Sequence, residues 1–345
     1  MPVACSSCFR WFSPYERRRF FTALDSDDIK RDLLISFVEA EDDDHGERRQ
    51  TAERIRRRVT RFFTPNEMDS IEAFRAEYKK SGAREAQRET PRVSVVSAAP
   101  AFPLGTGPWG DLRARGGVSN AWDDIDGTSF KVRGPNYLTD KQKVQSEAAL
   151  LDMVVLDVFE ADCDIPQITP CREVGTIHRV RKAGETRPLL VLNFRITPFF
   201  LVIVWALPET LDGSPAEKLL WRFIHDMDDE ERNKTLKVIP RILQGNFVAR
   251  KAVGETPAIL GKNIPLEYHH IGDVFEVSLG LAGSPSAMRL YNILKYAASS
   301  LEMELAVTLE GKTEDELPEQ VISGFRITLP DVTTFRTVAV DSNDE

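Results

Sequence analysis

Two strand-length apolar runs, 189–196 and 199–207, are separated only by Thr197 and Pro198. A two-residue connection joins antiparallel neighbours, because a parallel crossover needs a dozen or more residues. The second run, Phe-Phe-Leu-Val-Ile-Val-Trp-Ala-Leu, is apolar enough for a central strand. The same pattern predicts further strands at 150–159, 235–242, 246–252, 265–271, 273–280, 302–310 and 323–329, with a turn at Gly272-Asp273. Helices are predicted at 215–233, at 285–299 and, shorter, at 314–321. Ser284 would cap the second of these, Pro285 would open it, and Met288, Tyr291, Leu294 and Ala298 would face the core. Short strands in hairpin succession, interrupted by a few helices, indicate an α+β fold. The expected architecture is a mainly antiparallel curved sheet packed on a C-terminal-half helix, helix-grip-like, preceded by a helical N-terminal segment.

That segment, 1–80, carries three helical patterns. Ile29, Leu33 and Phe37 recur four apart over 26–40, with Asp27 and Asp28 in the first turn. A second helix is predicted over 51–63, where Ile55, Val59 and Phe62 share a face flanked by Arg54, Arg56, Arg57, Arg58 and Arg61. Thr64-Pro65-Asn66-Glu67 then supplies a capping box and an opening proline for a third, with Ile71, Phe74 and Tyr78 as its stripe and Gly82 as its stop. Residues 81–121 are rich in Gly, Pro, Ser, Ala and Arg without periodicity, and a flexible linker is placed at 81–108. A large domain at 109–332 and an acidic tail at 333–345 complete the expected organisation.

The net charge of −9 argues against a general nucleic-acid binder, but it is unevenly spread. Residues 48–61 hold seven arginines against one acid, Glu53, directly after the acidic run 41–47. An arginine-flanked apolar stripe suits an anionic monolayer, so Arg54, Arg57, Arg58, Arg61, Phe62 and Phe63 are expected membrane-contact residues. The stripe equally suits calmodulin-type capture, or packing on the large domain while the arginines pair with residues 41–47.

No apolar run reaches the roughly 20 residues of a spanning helix. Cys5, Cys8 and Arg10 stand where a secretory apolar region would be, and four cysteines in 345 residues fit reduced thiols in the cytosol. Cys5-Ser6-Ser7-Cys8 is half of a zinc or redox motif without its other half. Plain exposed thiols are one reading of it. Reversible acylation is another, given Phe9, Trp11, Phe12 and Arg17-Arg18-Arg19 close by.

No metal site, cofactor or enzymatic activity is expected. Gly105 to Gly110 fits G-x-G-x-x-G in form only, since Pro103 and Pro108 break the strand-turn-helix context that a dinucleotide site needs. His225-Asp226 with Asp228, Asp229 and Glu230 could suggest a metal-dependent hydrolase, although it reads more simply as an acidic turn. On a strand, His269 and His270 would point to opposite faces.

Four features occur in order: Trp122 with Asp126-Gly127; Phe130-Lys131-Val132-Arg133-Gly134-Pro135-Asn136-Tyr137-Leu138; Val238-Ile239-Pro240-Arg241-Ile242-Leu243-Gln244-Gly245-Asn246-Phe247-Val248-Ala249-Arg250-Lys251-Ala252-Val253-Gly254; and Glu314-Asp315-Glu316-Leu317-Pro318-Glu319. Together they resemble the C-terminal domain of the plant "enhanced disease resistance 2" proteins, over 109–332. In those relatives the domain stands behind a pleckstrin-homology domain, where phosphoinositide binding is usually placed, and a lipid-transfer domain. Neither module is evident here. The resemblance implies a cytoplasmic, peripheral-membrane protein that binds a lipid or phosphoinositide, regulatory in lipid signalling or trafficking. The alternative is a regulatory scaffold whose residues 20–80 dock a protein partner.

The block's own residues are consistent with a structural turn, in which Gly134 permits unusual backbone angles and Asn136 bonds its own backbone. Lys131, Arg133, Lys141 and Lys143 form one cationic set; Arg241, Arg250, Lys251 and Lys262 form another. On a strand over 246–252, one of Arg250 and Lys251 must share a face with the core or a pocket. A buried cation needs an anionic partner, either an internal carboxylate or a bound phosphate. Lys131, Arg133, Arg241, Arg250 and Lys251 are therefore the expected anion- or lipid-binding residues.

Overall fold

The computed structural model describes residues 26–40, 46–87, 121–208, 213–331 and 335–339. Cys5 and Cys8 lie outside them. The chain divides into two compact units, Met1–Lys80 and Ser81–Glu345.

The first unit is helical: α1 (Ser26–Glu39), α2 (Gly46–Val59) and α3 (Pro65–Gln87). Thr64 and Glu67 form the reciprocal cap, with the Thr64 N–H donating to Glu67 Oε2 at 2.8 Å. The carbonyls left over at the end of α1 accept from α3, where Arg75 Nε reaches Phe37 O at 2.8 Å and Lys79 Nζ reaches Ala40 O at 2.6 Å. Leu34, Val38, Val59 and Ile71 are fully buried. Of the stripe expected to meet a monolayer, Val59 is buried, Ile55 half-buried and Phe62 exposed. Exposed around it remain Arg54, Arg57, Arg58, Arg61 and Phe62, with Phe63 half-buried. Arg57 pairs with Glu53 at 3.1 Å, and Arg56 with Glu72 at 2.8 Å. Gly82 does not end α3. The surrounding Ala, Arg, Glu and Gln favour helix enough to outweigh a glycine penalty of about 1 kcal/mol, so 81–87 are helical and not linker.

The second unit is α+β. Its strands are β1 (Ala121–Asp124), β2 (Lys131–Arg133), β3 (Lys143–Gln145), β4 (Asp152–Ala161), β5 (Leu189–Ile196), β6 (Phe199–Ala206), β7 (Leu236–Gln244), β8 (Ala258–Ile259), β9 (Leu266–Ile271), β10 (Val274–Gly280), β11 (Glu302–Leu309), β12 (Val321–Thr328) and β13 (Arg336–Val338). Its helices are α4 (Tyr137–Asp140), α5 (Thr176–Lys182), α6 (Pro215–His225), α7 (Asp229–Asn233), α8 (Phe247–Val253) and α9 (Pro285–Ala297). The strands form a five-stranded sheet, β1-β12-β11-β7-β8, a six-stranded sheet, β13-β4-β6-β5-β10-β9, and the β2-β3 pair. All pairs are antiparallel except β5 with β10 and β4 with β13. The strand β13 falls within the stretch expected to be an acidic tail.

One core takes side chains from both large sheets and from α6. Leu190, Leu192, Ile203, Trp205, Phe275 and Val277 come from one sheet; Trp122, Val238, Val307 and Phe325 from the other; Leu219, Leu220 and Phe223 from α6. Alternate residues of β5 and β6, Leu189, Val191, Phe200, Val202 and Val204, enter a second core with Ile165, Ile168, Val174 and Val180. Both faces of these strands are covered, which is why their sequences run apolar without alternation. The helix seated in the main core is therefore α6. In α9 the deepest residue is Ile293, while Met288, Tyr291 and Leu294 are half-buried and Ala298 lies in the following turn.

Three expected elements differ. The 215–233 helix breaks at Met227, and Asp228 caps α7 by accepting from Glu231 N at 2.8 Å. The 314–321 helix is a single 3-10 turn, Glu314–Glu316. Residues 246–252, expected as a strand, form α8, capped by Asn246 Oδ1 accepting from Ala249 N at 2.9 Å. Val248, Ala249, Ala252 and Val253 share its buried face, so Arg250 and Lys251 both point outward. Neither is the buried cation that strand alternation implied.

Candidate functional site

The outer face of the five-stranded sheet carries a third apolar cluster, in which Phe130 and Val132 cover Ile239, Ala306 and Val321. The β2-β3 hairpin holds this cover in place. Gly134 matters there through closeness of approach, not an unusual φ: a Cβ would lie 3.0 Å from both Gln142 O and Val144 Cγ1. The Asn136 side chain makes no capping bond. The backbone carbonyl of Asn136 instead accepts from Thr139 N at 2.9 Å and Asp140 N at 3.0 Å.

Two charged constructions flank the apolar cover. Strand pairing places Arg241 opposite Glu304, and Glu304 opposite Arg326. Buried Glu304 accepts from Arg241 Nε at 2.9 Å and from Arg326 Nε at 2.9 Å. Arg241 also reaches Ser129 Oγ at 2.8 Å and stacks 4.3 Å over the Phe130 ring. This arginine is consumed by the sheet.

The second construction is a cleft of about 250 Å³ lined by Lys131, Arg133, Lys143, Lys237 and Lys262, by Glu310 and Glu319, and by Tyr137, Val132, Ile239, Pro257 and Ile259. Five cations face two carboxylates. Lys237 and Glu319 are buried: Lys237 Nζ lies 2.5 Å from Glu319 Oε1 and 3.5 Å from Glu310 Oε2. Arg133 Nη2 pairs with Glu310 Oε1 at 2.9 Å and donates through Nη1 to Gly311 O at 2.9 Å. Glu319 Oε1 also accepts from Gly311 N at 3.0 Å, which ties the 310–319 loop down. Burial pushes the Lys237 ammonium below its ordinary value, against the opposing pull of Glu319 and Glu310. Arg133 stacks 4.8 Å over the Tyr137 ring. The floor is thus internally paired, whereas Lys131, Lys143 and Lys262 are exposed around it.

Of the expected binding residues, Lys131 and Arg133 meet in the cleft. Arg241, Arg250 and Lys251 are not among its lining residues. The composition-based reading missed Lys237, Glu310 and Glu319. Glu319 closes the last of the quoted sequence runs, and an acid there, matched to Arg133 in the first run, was the available signal.

The other constellations resolve differently. Asp228 is a helix cap, Asp229 pairs with Arg232 at 3.1 Å and Glu230 pairs with Lys234 at 2.5 Å. His225 stacks on exposed Trp221 with ring centroids 3.9 Å apart. His269 faces Gln167 at 3.3 Å, while His270 packs 4.6 Å from the Phe275 ring. Among the described residues no group of three or more His, Cys, Asp or Glu is placed to hold a metal ion. No helix among them is long and apolar enough to cross a membrane.

The sequence model of the family described as "Protein ENHANCED DISEASE RESISTANCE 2, C-terminal" matches residues 122–330. That range contains both charged constructions and the whole cleft. A "Protein ENHANCED DISEASE RESISTANCE 2-like" from Arabidopsis thaliana is 30% identical over 227 residues, covering 65% of this chain and 30% of the relative. No solved structure matches the chain. With the family match extending over more than half its length, the chain belongs to the enhanced disease resistance 2 C-terminal domain family.

Proposed function

We propose that this protein is a non-enzymatic, cytoplasmic, peripheral membrane protein that binds an anionic lipid headgroup of the phosphoinositide class, with a regulatory role in lipid signalling or trafficking. The observation that carries the reading is the cleft, with five cationic against two acidic side chains around about 250 Å³. The paired floor is neutral by its own bookkeeping only if Lys237 and Arg133 satisfy Glu310 and Glu319. Lys131, Lys143 and Lys262 then remain as a rim suited to phosphate oxygens. Sites that enclose a drug-sized molecule run to roughly 300–1,000 Å³. A smaller, charged cleft accepts a headgroup and leaves acyl chains in the bilayer.

The relative's whole-length roles are not carried over, since the match spans 30% of it. Vesicle flotation with and without anionic lipid tests the reading. Partition onto anionic vesicles that weakens with salt is the expected result. Equal partition at both compositions would sink it.

A further inference from the structure

The ends of a sheet carry unpaired backbone groups, and folded chains blunt them with short strands, charges, prolines or bulges. Among the described residues, β1 and β8 end the five-stranded sheet, and β13 and β9 end the six-stranded one. Three of these are blunted: β1 has four residues and closes on Asp123-Asp124, β8 has two and β13 has three. The fourth, β9, runs for six residues, Leu-Glu-Tyr-His-His-Ile, with no lysine, no proline and no register shift against β10.

The ladder shows which groups of β9 are open. Leu189 N donates to Asp273 O at 3.0 Å and Gly280 N donates to Pro265 O at 3.0 Å, so odd-numbered residues there bond toward β5 and even-numbered ones toward β9. Through the β9–β10 register, Glu267, His269 and Ile271 turn their backbone groups inward, and Leu266, Tyr268 and His270 turn theirs out of the sheet. No backbone group among the described residues bonds to these outward groups. The neighbouring surface is open as well. Trp221 on α6 is 53% exposed and stacks on His225, whose ring lies 6.3 Å from that of exposed His270. An uncovered indole beside an uncovered strand has the composition of an interface centre.

We propose that β9 pairs antiparallel with β9 of a second copy of this chain, centred on Tyr268, so that two six-stranded sheets become one. A two-fold axis perpendicular to the ladder keeps the sheet faces matched, and it does so only when the pairing centre falls on a residue. A centre at His269 would set that imidazole against its own copy and Glu267 against Ile271. A centre at Tyr268 sets Glu267 against His269 of the second copy twice, at the positions where side chains approach most closely. Arg195 holds one Glu267 oxygen, and the other lies 3.9 Å from His269 of its own strand, so acid and imidazole share one face. The same register pairs the outward groups of Tyr268 with themselves and those of Leu266 with His270, roughly six hydrogen bonds in all. It also brings Leu266 of the second copy to His270, beside Trp221 and His225.

Sedimentation velocity of the full chain, wild type against His270→Pro, tests the pairing. Proline at 270 removes an outward N–H that the single chain leaves unbonded, so the variant should fold as a monomer. The expected result is a wild-type dimer whose dissociation constant rises by about a hundredfold or more in the variant. A wild-type chain that stays monomeric at its highest soluble concentration overturns the inference and leaves the edge to a strand from another protein. A dimer that tolerates His270→Pro also overturns it, since its interface would lie elsewhere. If His270→Pro unfolds, hydrogen exchange of the wild type decides. Exchange at the Leu266, Tyr268 and His270 amides that slows as protein concentration rises supports the pairing, and exchange independent of concentration overturns it.

Discussion

Lys237 Nζ and Glu319 Oε1 lie 2.5 Å apart across the floor of the cleft, with side-chain exposures of 5% and 1%. Lys237 belongs to β7 of the five-stranded sheet, and Glu319 to the loop between β11 and β12. Their pairing joins segments 82 residues apart and fixes the cleft's depth. A buried pair of this kind is weak evidence for net stability, because desolvation offsets attraction, but breaking it on one side is severe.

Lys237→Met alone leaves buried Glu319 with Gly311 N at 3.0 Å, Arg133 N at 3.2 Å and Arg133 Nε at 3.7 Å, and Glu319→Leu alone leaves a buried ammonium whose remaining carboxylate is Glu310 at 3.5 Å. Each single substitution should lower unfolding stability by about 3–5 kcal/mol. The double variant should lose clearly less than the sum, measured by denaturant unfolding as a double-mutant cycle. Additive losses would show that the two groups do not interact.

Asp157 gives a pH signature. Burial opposes its ionisation, but Arg336 at 2.8 Å and Arg179 at 2.7 Å outweigh burial and hold the carboxyl below its usual value. A depressed folded-state value stabilises at pH above the ordinary aspartate range, and that stabilisation is lost as pH falls through the folded value. Asp157→Asn should therefore be less stable than wild type at neutral pH, by about 2 kcal/mol. The gap should narrow in acid, as followed by unfolding midpoints across pH. A gap that is constant with pH would contradict the pairing of β13 to β4 through this carboxylate.

The helix at Phe247–Val253 can be distinguished from a strand by its cap. Asn246→Ala should lower stability by about 1 kcal/mol. Arg250→Gln and Lys251→Gln, on the exposed face, should stay within about 0.5 kcal/mol of wild type. Substantial losses at Arg250 or Lys251 would restore the view that one of them is a buried cation.

Much of the fold was legible because β5 and β6 carry apolar residues on both faces, and because Thr197-Pro198 allows them only one short connection. Residues 247–253 were not. Phe-Val-Ala-Arg-Lys-Ala-Val satisfies a period of 2 loosely, and the pairs Val248-Ala249 and Ala252-Val253 satisfy a helical period better, with Asn246 as the overlooked cap. The α2 stripe was visible as a stripe, but periodicity does not say whether a face meets lipid or neighbouring helices. Arg133 was singled out by the need of a buried cation for an anion. Its partners were hidden because Glu310 and Glu319 arrive from a loop that is placed only once β11 and β12 pair. The partner of Arg241 was hidden for a similar reason: its match with Glu304 depends on β7–β11 register, which no local pattern encodes.

The most direct measurement is equilibrium binding of the full chain to anionic vesicles, wild type against Lys131→Gln/Lys143→Gln/Lys262→Gln. Each exposed lysine near an anionic surface contributes about 1 kcal/mol, so removing three should weaken binding on the order of a hundredfold and flatten its salt dependence. Arg250→Gln/Lys251→Gln, outside the cleft, should leave it unchanged. Binding by the triple variant at wild-type strength would contradict the cleft as the headgroup site.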